Sequence, residues 1–210
     1  DLPIAGGLAR TAKAKRILTV GTDCNVGKMV TAIELQRVLA EKGRDAAFVA
    51  TGQTGIMIDG NGIAIDRVIS DFVAGAAELL VLENAEREVL CIEGQGSIIN
   101  VAYSGVTLGL LHGCCADGMI MCHHAPRDRS LHFQDFPLPS LPELIDLYEA
   151  VTAAVWPGRV IGISLNTVGL SPDEARAEKD RIEDLTGLPT TDPVRFGAEP
   201  LAEAVEGMLG

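Results

Sequence analysis

Val20-Gly21-Thr22-Asp23-Cys24-Asn25-Val26-Gly27-Lys28-Met29 lies between an apolar run, Arg16 to Val20, and a stretch from Val30 to Lys42 whose apolar residues recur at helical spacing. Strand, glycine-containing turn, Gly-Lys and helix is the setting in which a phosphate-binding loop works. Backbone N–H groups of such a loop converge with the helix N-terminus on one point. An anion there gains several hydrogen bonds and the positive end of the helix dipole. Lys28 adds a mobile ammonium suited to a diphosphate. Asp23, Asn25, Val26, Gly27, Lys28 and Met29 are therefore the candidate cofactor-binding residues. The loop departs twice from G-x-x-x-x-G-K-[ST]: Thr22 replaces the first glycine, and Met29 stands where a hydroxyl would hold Mg²⁺. Thr31, a helical half-turn on, does not put a hydroxyl at the same spot. Such a loop keeps the anion cradle while losing a metal ligand.

Outward from the loop, apolar strand-like runs alternate with helical ones. Strands are expected at Asp45 to Thr51, Glu88 to Glu93, Gly118 to Cys122, Arg159 to Leu165 and near Leu188 to Thr190. Helices are expected over Asp66 to Arg87, near Val106 to Cys115 and over Ala198 to Met208. Ser140-Leu141-Pro142-Glu143 and Ser171-Pro172-Asp173-Glu174 are capping boxes that start two more. The glycine-rich excursion from Ile56 to Ile65 reads as a hairpin turning at Asp59-Gly60 or Asn61-Gly62. Ala125 to Pro139 reads as a long irregular loop. The alternation predicts an α/β fold, a mostly parallel sheet with helices on both faces, of the P-loop NTPase-like kind. Residues 1–15 read as a linker and 16–210 as the P-loop domain. Ligands of such sheets bind beyond the carboxyl ends of the strands. Asp23, Lys28, Gln53, Thr54, Glu93, Gln95, His123, His124, Asn166 and Thr167 should converge on that rim.

Composition narrows the partners. The 210 residues are 47% hydrophobic and 22% charged, which is globular, and the formal net charge is -12. That balance argues against nucleic acid and against an anionic membrane surface. The expected partners are a small-molecule substrate and further copies of the chain. Five cysteines without paired C-x-x-C spacing read as reduced thiols of a cytoplasmic protein. No His or Cys spacing supports zinc, so no metal site is expected.

Val-Gly-Thr-Asp-x-x-Val-Gly-Lys and Glu93-Gly94-Gln95-Gly96 resemble the loop and the Glu-Gly-Ala-Gly of dethiobiotin synthetase and its relatives, whose glutamate helps hold Mg²⁺. A resemblance to the C-terminal P-loop domain of the DgcN family covers nearly the whole chain. Gly21 to Met29, Ala50-Thr51-Gly52-Gln53-Thr54-Gly55, Asp71 to Glu78, Glu93 to Ser97 and Tyr103 to Gly109 carry it. That family was long catalogued as a domain of unknown function and is associated with D-glutamate catabolism. The resemblance implies an acetyl-CoA-dependent N-acetyltransferase acting on the amine of a small acidic amino acid, D-glutamate in the first place. It also implies a smaller N-terminal α/β domain upstream. The alternatives are an ATP- and Mg²⁺-dependent ligase or carboxylase of the dethiobiotin synthetase type, and a nucleotide-binding module without chemistry of its own.

Glu93, at the end of a buried strand, is costly unless paired, ligated or functional. It is a candidate general base, a Mg²⁺ neighbour, or an acceptor for loop N–H groups. His123 is the second candidate base, since a neutral imidazole can take the proton an ammonium must lose. Gln53, Thr54, Tyr103, Ser104 and Arg127 are candidate substrate-binding residues, the arginine for carboxylates in fork geometry. His112 and His132 have weaker claims, and Cys24 reads as a packing residue.

Overall fold

The computed structural model describes residues 2–209. Thirteen elements follow one another: β1 (Lys15–Gly21), α1 (Lys28–Glu41), β2 (Ala46–Val49), α2 (Gln53–Asp59), α3 (Ser70–Glu83), β3 (Val89–Ile92), α4 (Ser104–Cys114), β4 (Gly118–His124), α5 (Leu141–Ala153), β5 (Arg159–Asn166), α6 (Pro172–Thr186), β6 (Thr190–Thr191) and α7 (Glu199–Glu206). All strand pairs are parallel and the sheet order is β2-β3-β1-β4-β5-β6. The chain thus winds one way from β1 and then the other from β4, and the crevice at such a switch point is where ligands of open α/β sheets bind.

Strand alternation sorts the core into two layers. Leu18 and Val20 of β1, with Leu90 and Ile92 of β3, face Leu80, Leu110, Leu144, Tyr148 and Ile182 from α3, α4, α5 and α6. Ile17, Val89, Cys91 and Ile120 point to the other side, against Leu35, Val38 and Leu39 of α1 and Leu201 and Val205 of α7. Both faces are covered, so the strands read as nearly continuous apolar runs. Both capping boxes form: Ser140 accepts from Glu143 N–H, Ser171 accepts from Glu174 N–H, and each glutamate reaches back to the cap amide.

Several boundaries differ from expectation. The hairpin over Ile56 to Ile65 is instead α2, closed by Gly60 at φ 85° and followed by coil. Helix α3 begins at Ser70, after a 3₁₀ turn over Ile65–Arg67. Residues 2–14, expected as a linker, pack on the domain. Gly6 donates to Glu78 at 2.7 Å, Leu8 and Ala9 N–H point at the same carboxylate, and a Cβ at Gly75 would collide with Pro3. Buried Arg16 pairs bidentately with Asp117, stacks on Trp156 at 5.1 Å and reaches Ala9 O. Among the described residues no helix is long and apolar enough to cross a membrane.

Candidate functional site

The turn from β1 into α1 has the backbone of an anion cradle. Asn25 and Gly27 take left-handed φ values of 54° and 107°, and Gly27 is the N-cap of α1. Such alternation turns successive N–H groups inward. Among the described residues no protein acceptor takes the amide N–H of Asn25, Val26, Gly27, Lys28, Met29 or Val30. Lys28 is buried, its Nζ donating to Asp23 O at 2.9 Å. Burial lowers its pKa, opposed by Cys122, Cys24, Asp23 and Glu93. A desolvated cation of this kind has much to gain from a phosphate.

The cradle opens into a cavity of ≈ 750 Å³. Of the expected binding residues, Asn25, Val26, Gly27, Lys28, Met29, Gln53, Thr54 and Tyr103 line it, together with Glu93, Gln95 and Asn166 from the strand ends. Gly52, Asp66, Val106 and His132 complete much of the remaining wall. Glu93 follows β3 and is buried, and its Oε2 accepts from Thr51 N and Gly52 N, both at 3.0 Å. Its Oε1 has no protein donor among the described residues. The lack of a side chain at Gly55 admits this carboxylate, which a Cβ there would strike. Gly94 passes so close to β1 that a Cβ would collide with Thr19 O, and its N–H donates to Thr19 Oγ1 at 2.9 Å. Glu93 therefore stands on a fixed backbone, with one oxygen held and one open.

Met29 supplies no hydroxyl, and Thr31 does not replace one. Thr31 Oγ1 lies 3.0 Å from Gly27 O and 2.7 Å from Ser164 Oγ, committed to the helix and to β5. Among the described residues no group of three His, Cys, Asp or Glu side chains is arranged to hold a metal ion.

Four expected site residues stand elsewhere. Asp23 turns its carboxylate away from the cavity, accepting from Leu131 N at 2.5 Å and Asn100 Nδ2 at 3.0 Å, with Arg127 at 3.6 Å. Burial would raise that carboxyl, but the hydrogen bonds from Leu131, Cys24 and Asn100, with Arg127, hold it below the usual range. Arg127 itself donates through Nη1 to Cys24 O at 3.0 Å, so it braces the P-loop, and it does not line the cavity. Ser104 starts α4 outside the cavity wall. His123 is inside β4, which runs two residues past Cys122. Its Nδ1 meets Thr22 Oγ1 at 3.1 Å, and burial pushes its pKa down to about 4. Thr22, the residue in place of the first glycine, thus has a partner of its own. Among the described residues His124 Nδ1 is buried without a hydrogen-bond partner, and burial and Arg127 lower its pKa. Cys24 lines the cavity with its thiol pKa raised by burial, in keeping with packing.

His132 lay beyond a reading of strand ends, because the long loop after β4 folds back over the P-loop to bring it to the cavity. Gly52 and Val106 carried no signal beyond their glycine-rich and helical surroundings.

Known proteins are similar to this chain in sequence and fold. A family model described as a domain of unknown function (DUF1611_C) P-loop domain matches residues 3–202. A D-glutamate N-acetyltransferase of Tritonibacter scottomollicae is 44% identical over 204 residues, 97% of this chain and 61% of that protein. One from Pseudoalteromonas sp. is 41% identical over 198 residues, 94% and 60% respectively. This chain accordingly spans about 61% of the length of the curated relatives. A crystal structure of a DUF1611 family protein from Anabaena variabilis ATCC 29413 superposes with a TM-score of 0.96 at 41% identity, covering 99% of this chain and 61% of that one. A nucleotide-binding protein of Archaeoglobus fulgidus in complex with ADP shares the fold at TM-score 0.62 and 12% identity, over 99% of this chain and 93% of that one. The fold is thus that of P-loop NTPase-like proteins, and the chain belongs to the DUF1611 family through its P-loop domain.

Proposed function

We propose that this domain binds acetyl-CoA and serves acetyl transfer to the amine of a small acidic amino acid, D-glutamate in the first place. The observation that carries it is the pairing, in one cavity, of an anion cradle lacking the metal-binding hydroxyl with a carboxylate held open-ended at the adjacent strand end. The activity for which the two curated relatives are named, D-glutamate N-acetylation, supports the reaction and the acceptor.

Bound acetyl-CoA supplies an activated acetyl thioester. The amides of Asn25 to Met29 and Lys28 Nζ hold its diphosphate at the head of α1. Glu93 Oε1, fixed through its partner oxygen, meets the acceptor's ammonium. Gln53, Thr54, Gln95 and Tyr103 offer neutral donors to the acceptor's carboxylates along the same wall. Catalysis then comes chiefly from holding amine and thioester together, which is worth up to about 7–11 kcal/mol in favourable intramolecular cases. Free thiols at all five cysteines accord with a cytoplasmic setting.

The test is acetyl-CoA consumption by the full-length protein with D-glutamate, other D-amino acids and L-amino acids, with and without Mg²⁺. Turnover with D-glutamate independent of Mg²⁺ is expected. Absence of turnover with every amino acid, or an obligatory requirement for ATP and Mg²⁺, would overturn it.

A further inference from the structure

Of the two candidate bases, His123 is buried against Thr22, which leaves Glu93, whose open oxygen is placed against the acceptor's ammonium. We infer that His132 is the general base that takes the acceptor's proton, while Glu93 orients the ammonium; this rests on the acetyl-transfer reading above. Four observations carry it. His132 is the one imidazole lining the cavity among the described residues. Its neighbours fix it to the P-loop: Leu131 N donates to Asp23 Oδ2 at 2.5 Å, and Ser130 Oγ lies 3.5 Å from Asp23 Oδ1. The turn beneath it is closed by Gln134 Nε2, which donates to Ser130 O at 3.0 Å and Leu131 O at 3.1 Å. Finally, Ser130 and Phe133 on either side line a separate small cavity of ≈ 170 Å³, while His132, exposed to solvent, lines the large one.

An imidazole is also better matched than a carboxylate to accept a proton from an ammonium near neutral pH. The steps balance. One ammonium proton passes to a ring nitrogen of His132, and the freed lone pair attacks the thioester carbonyl. The C–N bond forms and the C–S bond breaks. The nitrogen's second proton goes to the departing sulfur, giving the free thiol. The imidazolium then returns its proton to solvent. Asp23, which does not line this cavity, acts here as a positioning residue through Leu131.

Steady-state kinetics of the full-length wild type and the His132→Gln variant, with D-glutamate as acceptor, test this. General-base removal predicts a kcat loss of roughly 10²–10⁴-fold. KM for acetyl-CoA should stay nearly unchanged, the acid limb of the pH profile should move, and added imidazole should restore part of the rate. A His132→Gln enzyme within about threefold of wild type overturns the role, as does a loss with an unaltered pH profile and no imidazole rescue, the mark of a merely structural residue. A wild type without turnover overturns the acetyl-transfer reading itself, and the base with it.

Discussion

Tyr148 gives the sharpest test of how the cradle is held. It is fully buried on α5, and its hydroxyl makes two long-range bonds, donating to Gly21 O at 2.8 Å and accepting from Ile98 N at 3.0 Å. The first partner ends β1 where the P-loop begins. The second lies in the glycine-rich segment that follows Glu93. Tyr148→Phe keeps the ring and its packing while removing one donor and one acceptor. A net hydrogen bond is worth about 1 kcal/mol, and a buried N–H left unpaired costs about 1–3 kcal/mol. The variant should therefore lose about 2–4 kcal/mol. At roughly 2–4 °C per kcal/mol for a domain of this size, that is a fall in Tm of some 5–15 °C. Urea unfolding followed by circular dichroism measures the first quantity and calorimetry the second. Because both partners border the cradle, acetyl-CoA affinity should fall as well, even at temperatures where the variant is fully folded. A stability change below about 0.5 kcal/mol, within the range of inconsequential surface substitutions, would refute the role given to this hydroxyl.

Three further outcomes follow from the same geometry. His123 has a folded pKa of about 4 against about 6.5 unfolded, so the unfolded chain binds the extra proton between those values. Stability is complete above pH 6.5 and falls by up to about 3 kcal/mol toward pH 4; His123→Gln should flatten that slope in urea titrations at pH 7.5, 5.5 and 4.5, and an unchanged slope counts against the burial assigned to it. Lys28→Ala should weaken acetyl-CoA about 30- to 150-fold by calorimetry, the worth of a charge-assisted bond of 2–3 kcal/mol, and equal binding would remove the P-loop from cofactor recognition. Met29→Thr returns the missing hydroxyl. Acetyl-CoA affinity should stay within about threefold and turnover should remain independent of Mg²⁺, whereas a rise in ATP-dependent activity would favour the ligase chemistry instead.

Where local signals were strong, the chain could be read without coordinates. The two capping boxes need only residues three apart, and the strands carry their burial in unbroken apolar runs. The errors arise where distant contacts decide. Helix α2 has seven residues, a glycine within it and two hairpin-like dipeptides after it, so local propensity points elsewhere. It forms where Glu93 accepts the amides of Thr51 and Gly52 just before it and Gly55 gives the carboxylate room. Asp23 shows the same limit. Its partners Asn100 and Leu131 lie 77 and 108 residues away, and nothing near residue 23 announces them. His123 and His124 belong to β4 through their pairing with Leu165 and Asn166 of β5, some 42 positions on, a partner that nothing near them in sequence announces.

The two departures in the P-loop act on different levels of the structure. Thr22 meets His123 inside the fold, a contact of stability. Met29 lines the cavity, where it alters what can be neutralised. With no hydroxyl at 29 and with Thr31 bound to Gly27 and Ser164, charge compensation rests on Lys28 and the free amides. Glu93 and Asp66 in the same wall, in a chain of net charge -12, add to the negative side. A triphosphate brought there would need a metal ion to offset its charge, since unscreened like charges in a partly dry site cost several kcal/mol. A diphosphate ester places less charge on the cradle, and an ammonium beside Glu93 offsets the remainder. On the acetyl-transfer reading proposed above, the wall would then take a pair of ligands of opposite charge, a coenzyme diphosphate at one end and an amine at the other.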